Sequence, residues 1–162
     1  MPLADPTTIT NMDNAVQTIV GNLPANQEEL DAWDCAAAWA PVATAFFSAA
    51  AIPSVTDEGK SAGESAFITA CHGAAGSTNS MTESALSAGF IAYAATVVAP
   101  GMCLPPAPVV HAPPANPLVL VLSGLPPSEA TLPSTTVLYN QLLPWAVTGT
   151  QTTPPAAVVP WS

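Results

Sequence analysis

Arginine is missing from this chain altogether, and Lys60 is its single lysine. Beyond Glu83 the remaining 79 residues carry one charged side chain, Glu129. A free soluble domain gives about a quarter of its residues to Asp, Glu, Lys and Arg, so a stretch this bare is expected to be covered by something other than water. Nucleic acid is excluded as a partner, because displacing counterions from phosphates needs Lys and Arg. Docking on an anionic membrane through a polybasic face fails for the same reason. Three cysteines, Cys35, Cys71 and Cys103, do not close a disulfide framework and read as small apolar fillers. Met1 to Thr10 has Asp5 where a secretory leader would carry Lys or Arg, so no export signal is expected.

What is present divides in two. Residues 1–99 hold ten of the eleven acids and much alanine, which favours close helix approach over a bulky core. The spacing predicts about four short helices in an antiparallel hairpin or small bundle. After an extended arm over 1–9, a first helix runs from Thr10 or Asn11 to Val20, with Met12, Val16 and Ile19 on one side. A second starts at the Asn26 cap, with Glu28, Glu29 and Asp31 favoured by the helix dipole, and Pro41 kinks it or divides it into two pieces near Ala40. A third runs from Thr56 to about Cys71. Ser80-Met81-Thr82-Glu83 fits the capping box of a fourth, on which Leu86, Phe90, Tyr93 and Val97 follow at helical spacing.

From Pro100 the pattern changes: fourteen of nineteen prolines lie in residues 100–162. Proline biases its predecessor to extended backbone, so this half is expected to be an extended, nearly uncharged arm without long helices. Leu118 to Leu122, Thr135 to Tyr139 and Ala146 to Thr148 read as short strands. Its apolar side chains would land on neighbouring subunits, and the candidate interface residues are Leu118, Leu120, Leu122, Leu138, Tyr139, Trp145 and Trp161.

No catalytic, cofactor or metal residues are assigned. Cys71-His72, Cys103 and His111 supply metal-type donors without the short loop that zinc sites use. Glu28, Asp31, Asp57 and Glu58 are explained by their helix-terminal positions. No Gly-x-Ser-x-Gly elbow is present, and Gly73 to Ser77 lacks the lysine of a phosphate loop. No small-molecule substrate is therefore expected.

An alternative is a small holin-like membrane protein with two apolar helices, since 35–52 and 84–99 are free of charge. The interruption at Pro41 and the lack of flanking Lys or Arg weigh against it.

The alanine-rich helical front with an uncharged tail such as Pro144-Trp145-Ala146-Val147-Thr148 and Pro154-Pro155-Ala156-Ala157-Val158-Val159-Pro160 resembles small structural proteins of tailed-bacteriophage virions. That resemblance implies a non-enzymatic neck, tail, baseplate or capsid-decorating subunit, assembled in the host cytoplasm. It also implies that the partners are copies of itself and other virion structural proteins.

Overall fold

In the computed structural model the residues described are 4–49, 55–75, 83–97, 131–147, 150–153 and 157–160. They are mostly helical. Six helices are α1 (Pro6–Gly21), α2 (Gln27–Ala32), α3 (Cys35–Phe47), α4 (Asp57–Ala75), α5 (Glu83–Val97) and α6 (Thr131–Ala146). Strands β1 (Thr150–Thr153) and β2 (Ala157–Pro160) pair antiparallel, with Thr150 opposite Pro160.

Local chemistry fixes the starts of these helices. Asp5 accepts from the Thr7 amide at 2.8 Å, and Pro6 occupies the first helical position, where its missing N–H costs nothing. Residues 6–9, expected as extended arm, are therefore helical. Asn26 caps α2 by accepting from the Glu29 amide at 2.9 Å, as its sequence context predicts. The break before α3 falls at Trp33 and Asp34, not at Pro41. Asp34 accepts from the amides of Ala36 and Ala37 at 3.0 and 3.1 Å, which restarts the helix. Pro41 lies inside α3 on its exposed side, so the carbonyl it leaves unpaired on exposed Ala37 can turn to water. Thr56 caps α4 through the Gly59 amide at 3.1 Å. Residues 80–82 of the expected capping box lie outside the described residues, and α5 begins at Glu83.

α4 and α5 form an antiparallel hairpin. Cys71 donates its thiol to the Ala85 carbonyl at 3.3 Å, Phe67 meets Phe90 edge-on with ring centroids 5.5 Å apart, and Gly63 faces Tyr93. The two helices are this close because Gly63 and Gly89 lack side chains. A Cβ on Gly63 would stand 2.6 Å from the Tyr93 ring, and one on Gly89 would stand 2.6 Å from the Cys71 sulfur. α3 crosses this hairpin, bringing Phe47 flat against Tyr93 at 4.9 Å. α1 packs along α3, and α6 along α1.

α6 corrects the expectation of an extended arm with strands. Thr135 to Tyr139 is helical, Ala146 ends α6, and Leu118 to Leu122 lies outside the described residues. Two prolines fail to prevent the helix because of where they sit. Pro133 is in the first turn, where amides have no intrahelical partner; Pro144 leaves the carbonyl of Asn140 without its bond, but Asn140 is exposed and that carbonyl can turn to water. Ten uninterrupted residues between them suffice for a helix held by packing. Its inner face joins the core of the preceding helices, so both sides of the expected boundary at residue 100 share one core.

Among the described residues no helix is long and apolar enough to cross a membrane. The charge-free stretches that suggested a spanning pair belong to α3, of 13 residues, and α5, of 15.

Candidate functional site

The inner face of α6 repeats at steps of four and three: Thr131, Thr135, Leu138, Leu142 and Trp145 are all buried. This places three apolar side chains against α1 and α3. Tyr139 meets Phe46 at 6.4 Å and Trp145 meets Phe47 at 6.2 Å, both edge-on. At the other end of α6 the contact is polar. Asp13 on α1 is 6% exposed, and its Oδ1 accepts from the Thr131 hydroxyl at 2.7 Å and the Thr135 hydroxyl at 3.0 Å. Gln17 donates to Oδ2 at 2.6 Å, so both carboxyl oxygens are engaged. A buried polar cluster of this kind tolerates one register and one orientation, because any slip strands an acceptor away from water.

The opposite face of α6 has no such partners. Pro133, Val137, Asn140, Pro144 and Val147 follow the same four-three spacing and are exposed, with Leu132 beside them. Val137 is 49% exposed and Leu132 51%. No charged residue occurs on this stripe. Fully exposed acids lie elsewhere, on α2 and the first turn of α4, at Glu28, Glu29, Asp31, Asp57 and Glu58.

A second polar cluster joins three helices inside the module. Thr44 donates to Glu64 at 2.6 Å and accepts from the Tyr93 hydroxyl at 3.1 Å. Burial pushes the Tyr93 hydroxyl up, against the lowering effect of its bond to Thr44.

Asp34 and His72 form a third, with Oδ1 and Nε2 2.9 Å apart. Burial raises the Asp34 carboxyl, but the hydrogen bonds from His72, Ala37 and Ala36 outweigh it and hold the group below its ordinary range. Their chain neighbours Cys35 and Cys71 are buried free thiols. Burial, with the Asp34 charge nearby, pushes Cys35 up to about 11. Burial and the neighbouring Cys35 push Cys71 up to about 12. Neither is a thiolate at neutral pH, so neither is armed as a nucleophile. Next to the pair an open groove of about 380 Å³ runs between Thr18, Ile19 and Asn22 of the α1 end and Trp33, Ala37, Ala38 and Pro41 on the α3 side. Its lining is largely apolar and brings no second titratable group to Asp34.

Among the described residues no three His, Cys, Asp or Glu side chains are arranged to hold a metal ion. Cys103 and His111 lie outside them, as do the interface candidates Leu118, Leu120, Leu122 and Trp161. Leu138, Tyr139 and Trp145 are placed in the core of their own chain, at 1%, 6% and 2% exposure. The sequence reading passed over Asp13, whose signal was an acid set among Met12, Val16 and Ile19 on an otherwise apolar face. It also passed over Val137 and Leu132, since the outer face of a helix has no meaning in a segment read as extended.

Comparison of this chain with protein-family models, with curated proteins and with solved structures finds no match.

Proposed function

We propose that this chain is a non-enzymatic structural subunit of a large multi-copy assembly, of the kind that builds a phage virion, and that its C-terminal half meets neighbouring copies. The observation that carries this reading is the outward stripe of α6. A helix on the surface of a free domain turns charge to water. This one turns Pro133, Val137, Pro144 and Val147, with Leu132 alongside and uncharged Asn140 as the polar side chain of the stripe. Obligate interfaces are depleted in charge in the same way. The acids of α2 and early α4, at a distance in sequence from this face, would stay in solvent and keep the subunit soluble before assembly. A virion role follows from the compositional resemblance and specifies the assembly further.

The test replaces Val137 with Lys, alone and together with Leu132→Glu. Both side chains point away from the core, so helix content and unfolding midpoint should stay within about 0.5 kcal/mol of the parent. Self-association should fall at least tenfold. Association unchanged by both substitutions would remove the stripe from any interface.

A further inference from the structure

We infer that the groove between α1 and α3 beside Asp34 is a docking site for an arginine side chain of a different, basic protein. That the occupant is a cation follows from the groove alone; that it belongs to a protein rests on the assembly reading.

The polar atoms the groove offers are acceptors. Pro41 has no N–H, so the carbonyl one turn before it, on Ala37, has no helical donor. Ala37 and Pro41 both line the groove, and Asp34 lies one turn before Ala37 in the same wall. The three hydrogen bonds that Asp34 accepts among the described residues, from Ala36, Ala37 and His72, all reach Oδ1 and leave Oδ2 over. On the α1 side the donors are spent. Thr18 gives its hydroxyl to the Asn14 carbonyl at 2.9 Å, and Asn22 gives its side-chain N–H to the Thr18 carbonyl at 2.8 Å, which keeps the Asn22 side-chain oxygen as a third acceptor. Trp33 adds an aromatic ring to the lining, and Ile19 and Ala38 add apolar wall.

A ligand that matches this set carries a positive charge, several N–H donors and an apolar stem. Guanidinium presents five donors in a planar fork, accepts no hydrogen bond and stacks on aromatic rings. A lysine ammonium fits less well, being a compact and strongly hydrated point charge. The volume of about 380 Å³ is at the small end of ligand sites, roughly 300–1,000 Å³, and suits one long side chain. Copies of this chain do not supply that group: they have no arginine, and their one lysine, Lys60, is held by Asp57 at 2.8 Å. A net charge of −10 attracts a basic partner instead.

The probe that tests this is the capped peptide acetyl-Ala-Arg-Ala-amide, titrated into the full-length chain and followed through the Trp33 indole and Ala37 amide signals in NMR. Peptides with citrulline or lysine in place of arginine are the controls, the first keeping the shape without charge and the second the charge without the fork. The arginine peptide should shift both signals to saturation and bind about tenfold tighter than the citrulline peptide and about threefold tighter than the lysine one. Pro41→Ala gives the Ala37 carbonyl a helical N–H and leaves the net charge unchanged. It should melt at or above the parent and yet weaken the arginine peptide by about threefold, the loss of one acceptor. Asp34→Asn keeps a helix cap and should weaken the peptide by about tenfold. Glu58→Gln, the same loss of charge at the end of α4 away from His72, should leave binding within about twofold of the parent. Arginine bound no better than citrulline or lysine, or bound equally by the parent and the Pro41 and Asp34 variants, would overturn the inference. Val137→Lys with Leu132→Glu should bind the peptide as the parent does, so failure of the groove and failure of the α6 stripe are read separately.

Discussion

Thr131 lies 118 positions beyond Asp13 in the chain and 2.7 Å from it in the fold, donating its hydroxyl to a carboxyl oxygen that is shut off from water. This pair sets where α6 lands on α1. Leucine and tryptophan contacts alone would allow the helix to slide by a turn, whereas a buried acceptor with two hydroxyl donors does not.

Replacing Asp13 by Ala should destabilise the chain by about 1–3 kcal/mol, since the buried Thr131 hydroxyl loses its acceptor, while the Thr135 hydroxyl keeps the Thr131 carbonyl at 3.0 Å. Asn at the same position keeps one acceptor oxygen and should cost about 1 kcal/mol. Urea unfolding gives both values. Amide exchange in α6 should accelerate more than in α4 and α5, and equal acceleration throughout would show that Asp13 does not act on α6 in particular.

Glycine substitutions should split in sign along α4 and α5. Alanine improves helix propensity by about 1 kcal/mol at any interior position. At Gly63 and Gly89 the new methyl would meet the Tyr93 ring and the Cys71 sulfur at 2.6 Å, so both substitutions should be net destabilising, by about 1–3 kcal/mol. Gly73 has nothing within 4 Å of the added carbon, and Gly73→Ala should raise stability by up to about 1 kcal/mol. Thermal denaturation of the three variants checks the pattern, and a stabilised Gly89→Ala would mean that α4 and α5 are not in this register.

Alkaline pH should weaken the fold through Cys35 and Cys71. Their thiols are held up to about 11 and about 12 by burial, against about 8.5 in an unfolded chain. The folded state keeps these protons when the unfolded state has lost them. The stabilisation is complete below pH 8.5 and declines as pH rises toward the folded values, by about 1.4 kcal/mol per pH unit for each thiol. Cys35→Ala should flatten the slope of stability between pH 9 and about 10.5. An unchanged slope would place the alkaline sensitivity elsewhere, for instance in Tyr93 and Tyr139, whose hydroxyls burial also raises.

How much of this was legible in the sequence depended on whether the signal was local. Asn26 and Thr56 announce helix starts through side chains that bond amides three residues away, and those starts were readable. The apolar spacing of Leu86, Phe90, Tyr93 and Val97 placed α5 for the same reason. Pro41, Pro133 and Pro144 misled because a proline's effect depends on its place within a helix and on which side is exposed. Asp34 was passed over as a cap because it follows a helix that a longer apolar run seemed to continue. The Asp13 cluster was out of reach: its donors lie at 131 and 135, and nothing near Asp13 in sequence reveals them. The same holds for the outer stripe of α6, which exists only once Thr131, Thr135, Leu138, Leu142 and Trp145 have turned inward.

Sedimentation of the purified wild-type chain, followed over concentration at low and high salt, tests the assembly account most directly. The net charge of −10 makes copies repel, and about 1 M salt shortens the screening length to about 3 Å. An interface without ion pairs loses nothing to that screening. The account predicts mass above 16.3 kDa that grows with concentration and grows further in high salt. A single 16.3 kDa species at every concentration and both salts would contradict it.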